Sequence, residues 1–217
     1  MSNFEMPEDV VSEEPSNRVN LRVQRSGRPV GARRKEILQT VTKLLEDPQC
    51  DRITTALIAK KLKLSEAALY RSFPSKSAMF EGLLAFIESS LLGLYGQIRD
   101  QEMPHMKKAV TMAVVILQFA DANPGLTRLM TGQVLMKEDR ALTERLVHLF
   151  DSLETGIRQE MKEAVLAREI PADYDARGRA DLVMSWVLGR LQRFVMSGFA
   201  LRAGDITSVT LDPLVRP

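Results

Sequence analysis

Hydroxyls and cations crowd residues 54–76, TTALIAKKLKLSEAALYRSFPSK, in an order that suits phosphate binding. Thr54 and Thr55 stand before the apolar positions Leu57, Ile58 and Leu62. One threonine there can cap a helix, and the other is free to donate to a phosphate. Ser65 opens a second short helix as its N-cap, with Glu66 in the first turn, where the helix dipole favours an acid. Leu69 is the inward residue of that helix. Ser65, Glu66, Ala67 and Ala68 are then left at its outward N-terminal end, and alanine methyls there suit contact with thymine. Tyr70, Arg71 and Ser72 follow nearer the phosphate walls. Phe73 plugs the core, Pro74 stops the helix, and Ser75 caps the next one. Lys76 falls in the first turn of that next helix, where a cation opposes the dipole, so it calls for a phosphate partner.

Two short helices in this arrangement make a helix-turn-helix, whose second helix enters the DNA major groove. The apolar positions alone fit any amphipathic helix pair. The Thr-Thr start, the S-x-x-x-L-Y core and the F-P-S-K exit decide for DNA. Lys63 dissents. The turn between the helices needs a residue tolerant of positive φ, and a non-glycine residue there costs about 1 kcal/mol. Arg33 and Arg34, at the start of the preceding helix, extend the basic surface. Residues 1–20 hold five acids against Arg18, and residues 21–36 hold six bases against Glu36. This composition predicts a disordered tail over residues 1–30. Its basic half is either an arm along the DNA or a plain solubilising extension.

The elements that must carry these residues are helices, because apolar residues recur at helical spacing and no segment alternates for long. Helices are expected at 32–47, 54–61, 65–72, 75–100, 105–122, 124–136, 139–169 and 173–202. The breaks fall at prolines 48, 74, 104, 124 and 171. The fold class is all-α. Residues 31–76 form a three-helix DNA-binding domain, residues 77–203 a larger helical dimerisation and effector domain, and residues 204–217 a C-terminal tail. The last long helix is apolar over more than one face, which predicts burial on two sides. Leu182, Trp186, Leu191 and Phe194 are the expected dimer contacts. A two-fold dimer then reads a palindromic DNA site. The alternative is one thick monomeric core.

Other chemistry finds little support. The single cysteine, Cys50, excludes a disulfide framework and fits a reducing cytoplasm. No apolar run approaches the roughly 20 residues of a membrane span. The two histidines, His105 and His148, lie in different helices. No nucleophile with its base, metal-ligand cluster or phosphate-binding glycine loop is recognisable, so an enzyme is not expected and no cofactor or metal is required. Met106, Met112, Phe119, Met130 and Met136 could line a ligand pocket, but methionine at helical spacing usually fills core.

Residues Ala32 to Lys76 resemble the TetR family of bacterial regulators. The runs RKEILQTVTKLLE, SEAALYRSFPSKSAMFEGLLAFIESSL, NPGLTRLMTGQVLM and LQRFVMSGF extend the resemblance over most of the chain, to a nucleoid-associated branch that acts in cell division. The resemblance implies a homodimer, with several dimers loading on one DNA site. It also implies that the fourth and fifth helices bind the C-terminal tail of FtsZ, the tubulin-like division protein. The positions it assigns to that surface are Phe86, Leu94, Val115 and Asn123. Leu94 and Ala122 stand where it implies bases, and Arg99 and Arg128 are the cations that could compensate. Asn123 is equally explained as a helix-end residue before Pro124. The family also implies an alternative, a repressor released from DNA by a small molecule.

Overall fold

The computed structural model describes residues 30–50, 52–135, 139–205 and 208–216. These form helices α1 (Val30–Leu45), α2 (Thr55–Leu62), α3 (Glu66–Ser72), α4 (Lys76–Arg99), α5 (His105–Ala122), α6 (Pro124–Met130), α7 (Arg140–Leu166), α8 (Ala176–Met196) and α9 (Ser208–Val215). There is no strand among the described residues. The expected 1–30 tail and Met136 fall almost wholly outside them.

The chain divides into two compact units, and the division cuts through α4 and α7. One unit takes in the described residues up to Ser90 together with Asn123–His148. Its centre is Ile37, Val41, Ile58, Leu69, Phe73 and Phe80, each with no exposed surface. α6 belongs here rather than with the rest of the effector domain, because it lies directly against α1. A Cβ on Gly125 would overlap the Thr42 carbonyl oxygen, so only glycine permits that approach. Arg128 reinforces it. Its guanidinium donates to the carbonyls of Asp47 and Cys50, both at 2.9 Å, and of Leu45 at 3.5 Å. A cation there satisfies the last carbonyl of α1 and two acceptors in the turn that follows it. Elsewhere in the unit, Arg145 of α7 grips Glu88 of α4 through two N–H groups, the Nε bond being 2.7 Å.

The other unit holds Leu91–Ala122 and Leu149 to the C-terminal end. Ile116, Leu117, Leu153, Ile157 and Val187 form its dry interior. The N-terminus of α5 is capped by Glu169, whose two oxygens accept from the backbone N–H groups of His105 and Met106. His105 Nδ1 lies 2.8 Å from the buried Glu160 carboxylate. The segment expected as a tail from residue 204 instead contains α9. Leu211 and Val215 are buried, and Arg179 and Tyr174 donate to the carbonyls of Pro213, Leu214 and Val215. Apolar residues at i and i+4 gave that short helix something to bury, which its proline concealed in the sequence.

Two further expectations are corrected. α6 stops at Met130, not 136, because Gly132 takes φ 77° and turns the chain. α4 is long and apolar enough, by length and composition, to cross a membrane. Glu81 and Glu88 interrupt that apolar stretch, and Glu88 is paired with Arg145.

Candidate DNA interface

The helix-turn-helix forms from local chemistry that the sequence announces. The Thr54 hydroxyl accepts from the Leu57 N–H at 3.1 Å and caps α2. Ser65 caps α3 through the Ala68 N–H at 3.2 Å, and Ser75 caps α4 through the Ala78 N–H at 3.0 Å. Lys63 takes φ 54° and ψ 43°, the left-handed conformation expected of it. The turn it makes is closed by Leu64 N–H donating to Ala59 carbonyl at 2.9 Å. Leu69 and Phe73 are wholly buried, and Ala59 is 3% exposed at the helix crossing.

The outward side of α3 presents Ser65, Glu66 and Ala67 as exposed residues, with Ala68 half-buried. Tyr70 is 45% exposed and Arg71 is exposed beside it, while Ser72 is half-buried. Only Leu69 of this stretch is buried, so the N-terminal end and the flanks of the second helix are left open around it.

Several expected phosphate ligands are already engaged. Thr55 donates its hydroxyl proton to Glu66 Oε2 at 2.7 Å, so it is not the free donor of the pair. Thr54 caps by accepting, which leaves its own proton available. Thr54 is thus the capping threonine of the pair, and the hydroxyl expected to be free on Thr55 is engaged within the motif. Lys76 Nζ donates to the Ile53 carbonyl at 2.9 Å and lies 5.8 Å from the Phe80 ring centroid. That bond explains a cation in the first turn of α4 without invoking DNA. Arg33 pairs with Glu36 at 2.8 Å. Arg34 donates to the Ser72 carbonyl at 2.9 Å and stacks 4.2 Å over the Phe73 ring, tying α1 to the end of α3. Each is a structural tie first; the Arg33–Glu36 pair follows from i,i+3 spacing on one helix, but the ties of Arg34 and Lys76 reach residues far along the chain that spacing could not disclose.

The remaining expected sites divide by burial. On α4, Phe86 and Leu94 are half-buried, as are Val115 on α5 and Asn123 at the start of α6. Asn123 makes no side-chain cap to α6. Arg128, proposed above as a compensating cation, is committed to the end of α1. On α8, Leu182 is 49% exposed and Trp186 half-buried, but Leu191 and Phe194 lie inside the protomer. Phe194 packs edge-on against Phe199 at 5.2 Å. The spacing 183, 187, 191, 194 marks the inward stripe of α8, and 182, 186, 189 the outward one. Reading both stripes separately would have found Gly189 as an outward residue and excluded Leu191 and Phe194. Met106, Met112, Phe119 and Met130 are buried core.

Comparison with known proteins agrees with this geometry. Residues 37–83 match the model for bacterial regulatory proteins of the tetR family, and residues 105–210 match the SlmA-like form of the tetracyclin repressor-like C-terminal domain. The chain is 43% identical over 168 residues to the nucleoid occlusion factor SlmA of Vibrio cholerae, covering 77% of this chain and 86% of that one. It is 41% identical over 167 residues to SlmA of Idiomarina loihiensis, covering 77% and 85%. Among solved structures it resembles the TetR family transcriptional regulator PfmR from Thermus thermophilus, with a TM-score of 0.67 at 17% identity, over 89% of this chain and 97% of that one. The last likeness concerns the fold alone. The chain belongs to the TetR family, and within it to the nucleoid occlusion factors of the SlmA type.

Proposed function

We propose that this protein is a DNA-bound homodimer that inhibits FtsZ ring assembly over the chromosome and so acts as a negative regulator of division. The observation that carries the reading is its identity of 41–43% to SlmA proteins over more than three quarters of the chain. The helix-turn-helix positions the dimer on a palindromic site, with Thr54, Tyr70, Arg71 and Ser72 toward phosphates and the first turn of α3 toward base edges. Ser65, Ala67 and Ala68 complete that base-side face. Lys76, Arg33 and Arg34 reach phosphate only where DNA competes for the bonds they already make.

The outward stripe of α8, Leu182, Trp186 and Gly189, together with the exposed Leu188, is the proposed dimer face. A Cβ on Gly189 meets no atom within 4 Å, and Leu182 and Leu188 are 49% and 38% exposed. An apolar stripe of this kind gains by covering. α4 supports the partner reading. Only 33% of its apolar stretch is buried, Leu92 is 43% exposed, and Gly93 and Gly96 stand in open space. Phe86 and Leu94 border that surface on the same helix, and Val115 and Asn123 are the further partner positions. An extended peptide such as the FtsZ tail suits a shallow apolar surface better than a small molecule does. The repressor alternative finds one supporting observation: the Tyr95 hydroxyl is buried with no hydrogen-bond partner. Buried methionines pack the region instead of opening it.

The test mixes the full chain with FtsZ, GTP and a palindromic duplex it binds, and follows polymer by sedimentation. Loss of polymer that requires both protein and duplex is the expected result. Intact polymer, together with release of DNA by a small molecule, would establish the repressor instead.

A further inference from the structure

We propose that Glu66, aimed by the Thr55 hydroxyl, selects a cytosine in each half of the DNA site, its carboxylate accepting a hydrogen bond from the exocyclic amino group of that base. The proposal rests on the DNA-binding reading above and deepens it. Thr55 is the first residue of α2 and Glu66 the first of α3, eleven positions apart, yet Thr55 Oγ1 and Glu66 Oε2 lie 2.7 Å from each other on the exposed side of the motif. A threonine hydroxyl owns one proton, and here the carboxylate takes it.

That bond changes what the pair can recognise. An ionised carboxylate only accepts hydrogen bonds, so it repels a phosphate rather than binding one. Thr55, with its proton spent, offers a phosphate nothing in return. Nor does the carboxylate serve its own helix as a cap, because the Ser65 hydroxyl already takes the Ala68 N–H. The acid is therefore held out toward the groove by a hydroxyl from the other helix, and what it can use there is a donor. The major groove presents two amino donors, on cytosine and on adenine. Adenine sets its N7 acceptor beside that donor, so a carboxylate meets a lone pair as well as a proton. Cytosine sets only a ring C–H beside its amino group, which makes it the better fit. In this arrangement Thr55 is a positioning residue: it does not touch DNA, but fixes one carboxylate oxygen and leaves the other to the base.

The experiment selects preferred duplexes from a random library with the full-length protein and with Glu66→Gln, Thr55→Val and Thr55→Ser. The wild type is expected to require cytosine at one position in each symmetric half. Glu66→Gln should lose that preference by about 10-fold or more while the other positions and the salt slope stay as they were. Thr55→Val should weaken the preference at the same position, and Thr55→Ser should restore it, a pattern that a merely structural tie between α2 and α3 does not produce. Retention of the cytosine preference in Glu66→Gln, or its loss at a different base, overturns the assignment of Glu66. A Thr55→Val profile equal to wild type overturns the positioning role. Wild-type selection of no symmetric site at all refutes the DNA-binding reading and this proposal with it, a result distinct from either of the others.

Discussion

Gly125 of α6 lies so near Thr42 of α1 that the Thr42 carbonyl oxygen occupies the space a Cβ would need. The neighbour is backbone, and it cannot swing aside as a flexible side chain would. Gly125→Ala should therefore lower stability by about 3 kcal/mol, the upper part of the usual range for overpacking. Urea unfolding measures it. A loss below about 0.5 kcal/mol would mean that α1 and α6 separate easily, and the NPGLTR segment would then need another explanation.

Arg71 and Lys76 separate two kinds of cation. Arg71 is exposed on the flank of α3, while Lys76 Nζ is bonded to the Ile53 carbonyl. Arg71→Ala should leave stability within about 0.5 kcal/mol of wild type, as exposed substitutions usually do. It should reduce the salt slope of DNA binding by about 0.9 for each phosphate contact removed. Lys76→Ala should cost about 1.5 kcal/mol of stability, the lower value for a hydrogen bond from a charged group. Salt titrations of both variants check the contrast, and an unchanged slope for Lys76→Ala takes it off the list of phosphate ligands.

Lys63 holds φ 54° in the turn between α2 and α3. Glycine relieves the side-chain clash of that conformation but is more disordered when unfolded, so the two effects partly cancel. Lys63→Gly should raise stability by about 0.5 kcal/mol. Thermal melting tests the sign, and a lower melting temperature would show that the lysine makes a compensating contact.

Tyr174 donates to the Val215 carbonyl at 2.9 Å, and burial pushes its phenol up to about 12, with Arg179 opposing and Asp175 adding to the shift. A raised folded value means that the folded state keeps a proton that the unfolded chain gives up near 10. The stabilisation is fully present below pH 10 and is lost as pH rises toward 12. Across that window the melting temperature of the wild type should fall more steeply than that of Tyr174→Phe. Parallel curves would show that the docking of α9 does not depend on the phenol.

The helices and their ends were legible because their causes are local. Thr54, Ser65 and Ser75 cap as their positions predict, and prolines mark most of the breaks. The strained turn at Lys63 was legible too, since nothing but its own side chain creates the strain. α9 was not, because what stabilises it is Tyr174 and Arg179, more than 30 residues earlier in the chain.

The sequence by itself determined the all-α fold, the motif that faces DNA and the family. Periodicity, capping and turn chemistry act within a few residues and can be read in order along the chain. Only the tertiary structure decided which side chains remain available to act. Arg34 is spent on Ser72 and Phe73, Lys76 on Ile53, Arg128 on the end of α1, and Leu191 and Phe194 on the protomer's own core. A hydrogen bond is satisfied once, and an apolar surface buried once. Which partner takes each is settled by proximity in space, and for Thr55 the partner is Glu66.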